Sequence, residues 1–183
     1  MRHLAVLVLV GACGGSAKPI ANQAPPSGAS SPALATDAPM DCTSTVEEAK
    51  PGNVDRYAFE TPDGRHGYKN SKGQVVIAPT LRFGYEFKPG GIAAAVDADG
   101  HFVFIDASGK TIALAYPYDS GPDYFQEGYA RIVDDANKVG FISDHGIITV
   151  PPTYDRAESF CHGVAEVTLG DRTLHINRLG VVQ

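Results

Sequence analysis

From residue 65 onward the chain repeats one phrase, and that period constrains the fold more than any other feature. The phrase is clearest in Val139-Gly140-Phe141-Ile142-Ser143-Asp144-His145-Gly146, then Val150-Pro151-Pro152-Thr153-Tyr154-Asp155, then Phe160-Cys161-His162-Gly163-Val164-Ala165-Glu166-Val167. Its three parts occur earlier in the same order. An apolar or aromatic pair leads to a turn glycine, an aliphatic run leads to a proline, and a glycine opens an alanine-centred strand. The turn glycines are Gly73, Gly109, Gly146 and Gly180, spaced 36, 37 and 34 residues apart. The glycines opening the third part are Gly91, Gly128 and Gly163, spaced 37 and 35. Two independent markers on one period indicate stacked structural repeats. Apolar runs bounded by turn residues at this spacing indicate strands, not helices. The expected fold is therefore all-β, an array of antiparallel three-stranded meander repeats of about 36 residues. A small or incomplete β-propeller is the alternative, since four-stranded blades have repeats of about 40 residues.

The repeats divide as 65–100, 101–137, 138–172 and a partial 173–183. In the third strand Ala93, Ala130 and Ala165 share one position, and Ala95, Ile132 and Val167 lie two residues on, along the same face. That face is expected in the core, with Ala94, Arg131 and Glu166 on the solvent side. Residues 41–64 read as an N-terminal cap covering the first exposed face of the array. Within them, Thr45 to Ala49 could form one helical turn with a threonine cap, stopped by Pro51 and Gly52. Arg56 to Glu60 alternates polar and aromatic as a strand does, and Pro62-Asp63-Gly64 turns the chain back into Gly67-Tyr68.

The phrase resembles the bacterial WG repeat, in which Trp-Gly opens a strand and an Asp/Asn-x-x-Gly turn follows. Val-Ile-Pro-Pro-x-Tyr-Asp and Phe-x-Glu-Gly-Leu-Ala-x-Val come next. The third repeat is similar through Gly140-Phe141-Ile142, Pro151 to Asp155, Phe160 and Gly163 to Val167. The second is similar through Phe104-Ile105-Asp106, Gly109-Lys110, Tyr118-Asp119 and Phe125 to Ala130. The resemblance covers about residues 65 to 183. It departs at the tryptophan: the chain has none, and His66, Phe102, Val139 and Thr173 stand there. It implies binding or scaffolding, with no reaction and no cofactor.

Residues 1–12 read as a targeting segment. Met1-Arg2-His3 is a short positive region, and the apolar run Leu4 to Val10 is far shorter than the roughly 20 residues a membrane span needs. Val10-Gly11-Ala12-Cys13 resembles a bacterial lipobox, which implies cleavage before Cys13 and lipidation of its sulfur. An ordinary secretory signal is the alternative. Several acyl chains hold a protein firmly on a membrane where one is marginal. Gly14 after the cysteine resembles the outer-membrane sorting pattern of diderm bacteria. Residues 13–40, rich in proline, alanine and serine, read as a disordered tether of roughly 30 Å. With Cys13 lipidated, Cys42 and Cys161 remain in an oxidising compartment, where a disulfide between them is plausible. Two free thiols are the alternative, because a sequence does not place their Cα atoms.

Length allows one ordinary domain plus extras, and 43% apolar residues suffice for a core. Net charge is −6 with the basic residues scattered, so the electrostatic footprint of a nucleic-acid binder is missing. Cys161-His162 suggests a thiol catalyst, but neighbours in a strand point to opposite faces. Asp97-Ala98-Asp99-Gly100 begins like a calcium loop, but an EF-hand needs acidic groups where His101 and Ser108 stand, and a hairpin turn fits better. His66, His101, His145, His162 and His175 have no ligand spacing; a site shared between repeats is the alternative. The aromatics Tyr68, Tyr85, Phe87 and Tyr116 are expected mainly in packing. Tyr118, Tyr124, Tyr129 and Tyr154 are the candidates for a binding surface along one extended face. The expected function is a lipid-anchored envelope protein that binds a protein or peptide partner. A glycan or peptidoglycan binder is the alternative, and catalysis is not expected.

Overall fold

The structure, a computed structural model, describes Cys42 and residues 54–183. The expected helical turn at 45–49, the tether and Cys13 lie outside the described residues. Among the described residues the chain forms fifteen strands, all paired antiparallel, and no helix. A first strand, β1 (Tyr57–Glu60), pairs with β2 (His66–Lys69) across the turn at Gly64. Repeat one continues through β3 (Val75–Leu81), β4 (Phe83–Gly84) and β5 (Ile92–Val96). Repeat two comprises β6 (Phe102–Asp106), β7 (Thr111–Ala115), β8 (Pro117–Tyr118), β9 (Gly121–Pro122) and β10 (Tyr129–Val133). Repeat three comprises β11 (Val139–Ser143), β12 (Ile148–Tyr154), β13 (Arg156–Ala157) and β14 (Val164–Leu169), and β15 (Arg172–Asn177) opens the fourth.

The hairpin that begins each repeat is closed by a side chain. Asn70 Oδ1 accepts the N–H groups of Lys72 and Gln74, Asp106 Oδ1 those of Ser108 and Lys110, and Asn177 Oδ1 those of Leu179 and Val181. Such side chains mimic a backbone turn, and a glycine then takes the left-handed conformation. The same glycines explain why the repeats stack. A Cβ on Gly109 would stand 2.7 Å from Ile77 Cγ2, one on Gly146 3.1 Å from Ile112 Cδ1, and one on Gly180 3.4 Å from Val150 Cγ2. Each hairpin tip therefore rests on an aliphatic side chain in the second strand of the preceding repeat.

Packing inside the repeats is equally periodic. An aromatic ring of the first strand meets the phenylalanine that precedes the third: Tyr68–Phe87 at 4.9 Å, Phe104–Phe125 at 5.2 Å and Phe141–Phe160 at 4.5 Å between centroids. Tilted and edge-on pairs at these distances add to the hydrophobic gain. Ala93, Ala130 and Ala165 are fully buried, as are Ala95, Ile132 and Val167, so the alternation of the third strand places the core as expected. On the opposite side Glu166 is exposed and Ala94 half-buried, but Arg131 is buried. The alternation alone misplaces it, for a reason that belongs to repeat two.

Repeats one and three share a device that repeat two lacks. His66 pairs with Leu81 while Tyr68 pairs with Ile77, and Val139 pairs with Tyr154 while Phe141 pairs with Val150. Two residues of the first strand thus face four of the second, which bulges outward at its prolines. Gly67 and Gly140 lie under the bulge. A Cβ on Gly67 would stand 2.7 Å from the Ile77 carbonyl oxygen, and one on Gly140 2.3 Å from that of Val150. Both contacts are with backbone, which cannot swing aside. In repeat two Val103 takes this place, pairs with Leu114, and faces no such bulge. The consequence is topological. After the bulge, the chain bends at Arg82 or Asp155 into the short strands β4 and β13, which pair with β5 and β14. Unbent, β7 reaches β10 directly, and the order β12-β11-β10-β7-β6-β5-β4 makes one seven-stranded sheet. It is flanked by the sheets β1-β2-β3 and β13-β14-β15 and the ribbon β8-β9. The sheets hold seven, three, three and two strands, an array of repeats and not a set of four-stranded blades. Gly140→Ala should cost about 3 kcal/mol, the upper end for overpacking a tight site, as a lowered denaturant midpoint. An unchanged midpoint would remove the bulge as the reason for that glycine.

Candidate functional site

The site lies where repeat two departs from its neighbours. In place of a bulge and bend, Tyr116 to Asp123 folds into the β8–β9 ribbon. Its turn residues Asp119 and Ser120 have φ of 45° and 64°, the left-handed pair that suits a two-residue hairpin. The Asp123 N–H donates to the Tyr116 carbonyl at 2.8 Å. Covered by this ribbon, the outer face of β10 becomes interior, and Arg131 is buried with Asp123. Asp123 Oδ2 accepts the Arg131 N–H at 2.8 Å and Nε at 3.0 Å, and Oδ1 accepts Nη2 at 2.7 Å. Nη1 donates to the Ala157 carbonyl at 3.1 Å. The guanidinium lies 4.4 Å from the Tyr116 ring centre and 5.3 Å from that of Tyr118. Burial alone would push the guanidinium pKa down, but the hydrogen bonds and charge of Asp123 outweigh it and raise it above its ordinary value. The guanidinium therefore stays charged, and it meets the Asp123 carboxyl through two bonds.

Two pockets flank this pair. One, of about 410 Å³, is walled by Tyr118, Tyr124, Gln126, Glu158, Glu166 and the Cys42–Cys161 disulfide. The other, of about 400 Å³, is more apolar and is walled by Tyr85, Ala94, Pro122, Tyr124 and Phe125, with Glu86 and Lys88. Asp123 and Tyr124 belong to both, so the segment that carries the buried carboxylate also separates the pockets. Tyr124 is 63% exposed and meets Tyr118 edge-on at 6.1 Å. Both volumes lie within the usual range of ligand sites, roughly 300–1,000 Å³. The disulfide is part of the first pocket's lining: Cα atoms 5.6 Å apart fit a bridge, and Gln126 Nε2 donates to the Cys42 carbonyl at 3.3 Å.

Of the four tyrosines proposed from the sequence as a surface, the structure brings two together. Tyr118 and Tyr124 stand at the pocket rim. Tyr129 packs on Phe160 at 5.2 Å with the Arg178 guanidinium 5.8 Å from its ring centre. Tyr154 is no surface residue: it is buried in the core of repeats three and four, opposite Val139 and on the same face of β12 as Val150. Cys161 is tied into the disulfide, leaving no thiol beside His162. Asp97, Asp99 and His101 place ligand atoms within 4.8 Å of one another, yet Asp97 Oδ1 already accepts three N–H groups, from Asp99, Gly100 and His101. That is the bonding of a hairpin tip.

The turn before β10 supplies a cross-repeat staple. Glu127, itself at φ 51°, accepts the His162 N–H at 2.6 Å, the Gly163 N–H at 2.8 Å and Arg178 Nη2 at 2.8 Å. Partial burial pushes its carboxyl up, but the bonds from Arg178, Gly163 and His162 outweigh this and hold it below the ordinary glutamate value of 4.5. A depressed folded pKa gives stability that is present above the unfolded value and lost as pH falls through the folded one. Glu127→Gln should thus cost roughly 1.5 kcal/mol at pH 7 and almost nothing at pH 2, compared by thermal midpoints.

Fold and site together define an all-β protein of tandem antiparallel repeats, with a pocket built where the second repeat departs. Residues 67–99 and 140–172 match the WG containing repeat, and the chain carries that repeat at both places. The matched spans belong to the two repeats that share the bulge, and they open on Gly67 and Gly140. No curated protein matches the chain.

Proposed function

We propose that the chain is a lipid-anchored bacterial envelope protein that binds a peptide or protein partner through the pockets on either side of Tyr124. The observation that carries this reading is the departure of repeat two. A ribbon replaces the bulge and bend of its neighbours, buries an ion pair, and holds two tyrosines exposed above it. Burying a charge pair contributes little net stability, but it fixes the geometry of what it supports, and a fixed aromatic rim binds at low ordering cost. Asp123, the buried carboxylate of the site, is committed to Arg131 and is not free for proton transfer, which favours binding over catalysis. The second pocket offers the apolar wall that a protein partner needs. The anchor rests on Met1 to Cys13, and a disulfide suits an oxidising compartment. Cys13→Ala should leave an unlipidated precursor that no longer partitions with membranes on detergent phase separation.

A glycan is the second reading, favoured by the exposed Tyr118–Tyr124 pair. Capture from solubilised envelope on the immobilised full chain, with proteins and glycans both read out, separates the two. The expected result is one enriched protein or peptide, lost with Tyr118→Ala/Tyr124→Ala. Enrichment of glycan alone would replace the first reading with the second, and capture unaffected by the double variant would remove the site.

A further inference from the structure

We infer that the pocket beside the Cys42–Cys161 disulfide takes the cationic end of a lysine or arginine side chain, an assignment that rests on the peptide-binding reading above. Four charged residues line it: Asp123, Arg131, Glu158 and Glu166. Arg131 and Asp123 cancel, and each guanidinium nitrogen of Arg131 already donates, Nε and Nη2 to Asp123 and Nη1 to Ala157. Glu158 also acts on the Arg131 charge, yet one cation stands against three carboxylates on the pocket wall, so the lining is net negative and favours a cation. Glu158 and Glu166 remain. Their backbones are joined by the bond from the Glu158 N–H to the Glu166 carbonyl at 2.8 Å, which sets two carboxylates side by side on the pocket wall. The nearest cation to either in an ion pair is the exposed His175, 3.7 Å from Glu166 and charged only when protonated. Like charges held together repel, and a cation between them relieves the repulsion.

The remaining walls suit the same ligand. Tyr118 and Tyr124 present rings at the rim, and a desolvated ammonium or guanidinium is drawn to such ring faces. Val164 adds an apolar surface for the methylene stem. A neutral sugar would stack on the tyrosines but gain nothing from the uncompensated charge.

The test is a titration of the full chain, selectively labelled in its tyrosine rings and followed by NMR. Only eight tyrosines are present, so each ring signal can be assigned by substitution. The probes are N-acetyl-arginine N-methylamide, its lysine counterpart, the neutral isostere N-acetyl-citrulline N-methylamide, and n-butylammonium. The expected result is that arginine and lysine probes shift Tyr118 and Tyr124 and leave Tyr57 unmoved. Citrulline should bind roughly tenfold more weakly, as should arginine to Glu158→Gln/Glu166→Gln, and added salt should weaken the cationic probes. Both glutamates are exposed, so this variant should keep its fold, as an unchanged spectrum of the other tyrosines would report. Equal binding of arginine and citrulline would overturn the cation assignment while leaving the peptide-binding reading standing. n-Butylammonium is the lysine side chain alone and should bind about as well as capped lysine; binding of capped lysine without binding of n-butylammonium would move the contact to the peptide backbone and overturn the side-chain assignment. If no probe moves either ring, both the assignment and the reading beneath it fall.

Discussion

Arg131→Met should destabilise the protein by about 4 kcal/mol, the range for removing one partner of a buried ion pair. Methionine fills much of the volume, so the loss is mainly electrostatic. Asp123 would be left buried with only the Arg131 backbone N–H to bond it, and the Ala157 carbonyl would lose the guanidinium donor. The ribbon should loosen as well, because the guanidinium is what the Tyr116 and Tyr118 rings pack on. Replacing both partners, as Asp123→Leu with Arg131→Met, should recover part of the loss, since no buried charge remains. Recovery should be incomplete, because the Arg131 N–H then has no acceptor. Urea unfolding of the two variants checks this. A single variant within 1 kcal/mol of the parent, roughly the value of an exposed pair, would mean that the ribbon does not seal the pair from water.

The Cys42–Cys161 disulfide should be worth as much. It closes a loop of 119 residues, and in the chain-entropy model such a loop gains about 4 kcal/mol or slightly more. Cys42→Ser/Cys161→Ser should lose that amount in urea, and the parent protein should lose a similar amount in reductant. The effect should also be local. Cys161 is buried at the start of the turn into β14 and bridges back to Val164, and Cys42 carries the carbonyl that Gln126 binds. Without the bond, this part of the first pocket's lining is free to open. Tyr118 and Tyr124 should therefore report the loss before the distant Tyr57 does.

The period was legible because the residues that set it act locally. Asn70, Asp106 and Asn177 close their own turns, the turn glycines need a left-handed backbone, and the third-strand alanines are buried at one position in each repeat. Each leaves a mark at a fixed offset. Tyr118 and Tyr124 were legible as candidates because aromatic residues in a loop are conspicuous. What the sequence hid were the partners. Arg131 sits at a position that alternation assigns to solvent, as Glu166 in the next repeat is, and only the ribbon folding over β10 reverses it. Nothing within β10 announces that cover. The available signal was in the phrase itself: repeat two has Val103 where its neighbours have Gly67 and Gly140, and Tyr116-Pro117-Tyr118-Asp119-Ser120-Gly121-Pro122-Asp123 where they have a proline bulge. A break in a repeat is where its function can depart from its scaffold. Tyr154 was misread for another reason. It lies four residues past Val150 in β12, on the same inward face, but the prolines between them disguise the strand and make the tyrosine look like a loop residue.

The most direct test of a partner at this site is site-specific crosslinking in the cell that makes the protein. A photoreactive phenylalanine analogue would replace Tyr124, and in a control the still more exposed Leu179, far along the chain in the last hairpin. Illumination should yield a defined adduct containing a peptide or protein from position 124 and none from position 179. No adduct at 124, or the same products from both positions, would contradict a binding site built on the second repeat.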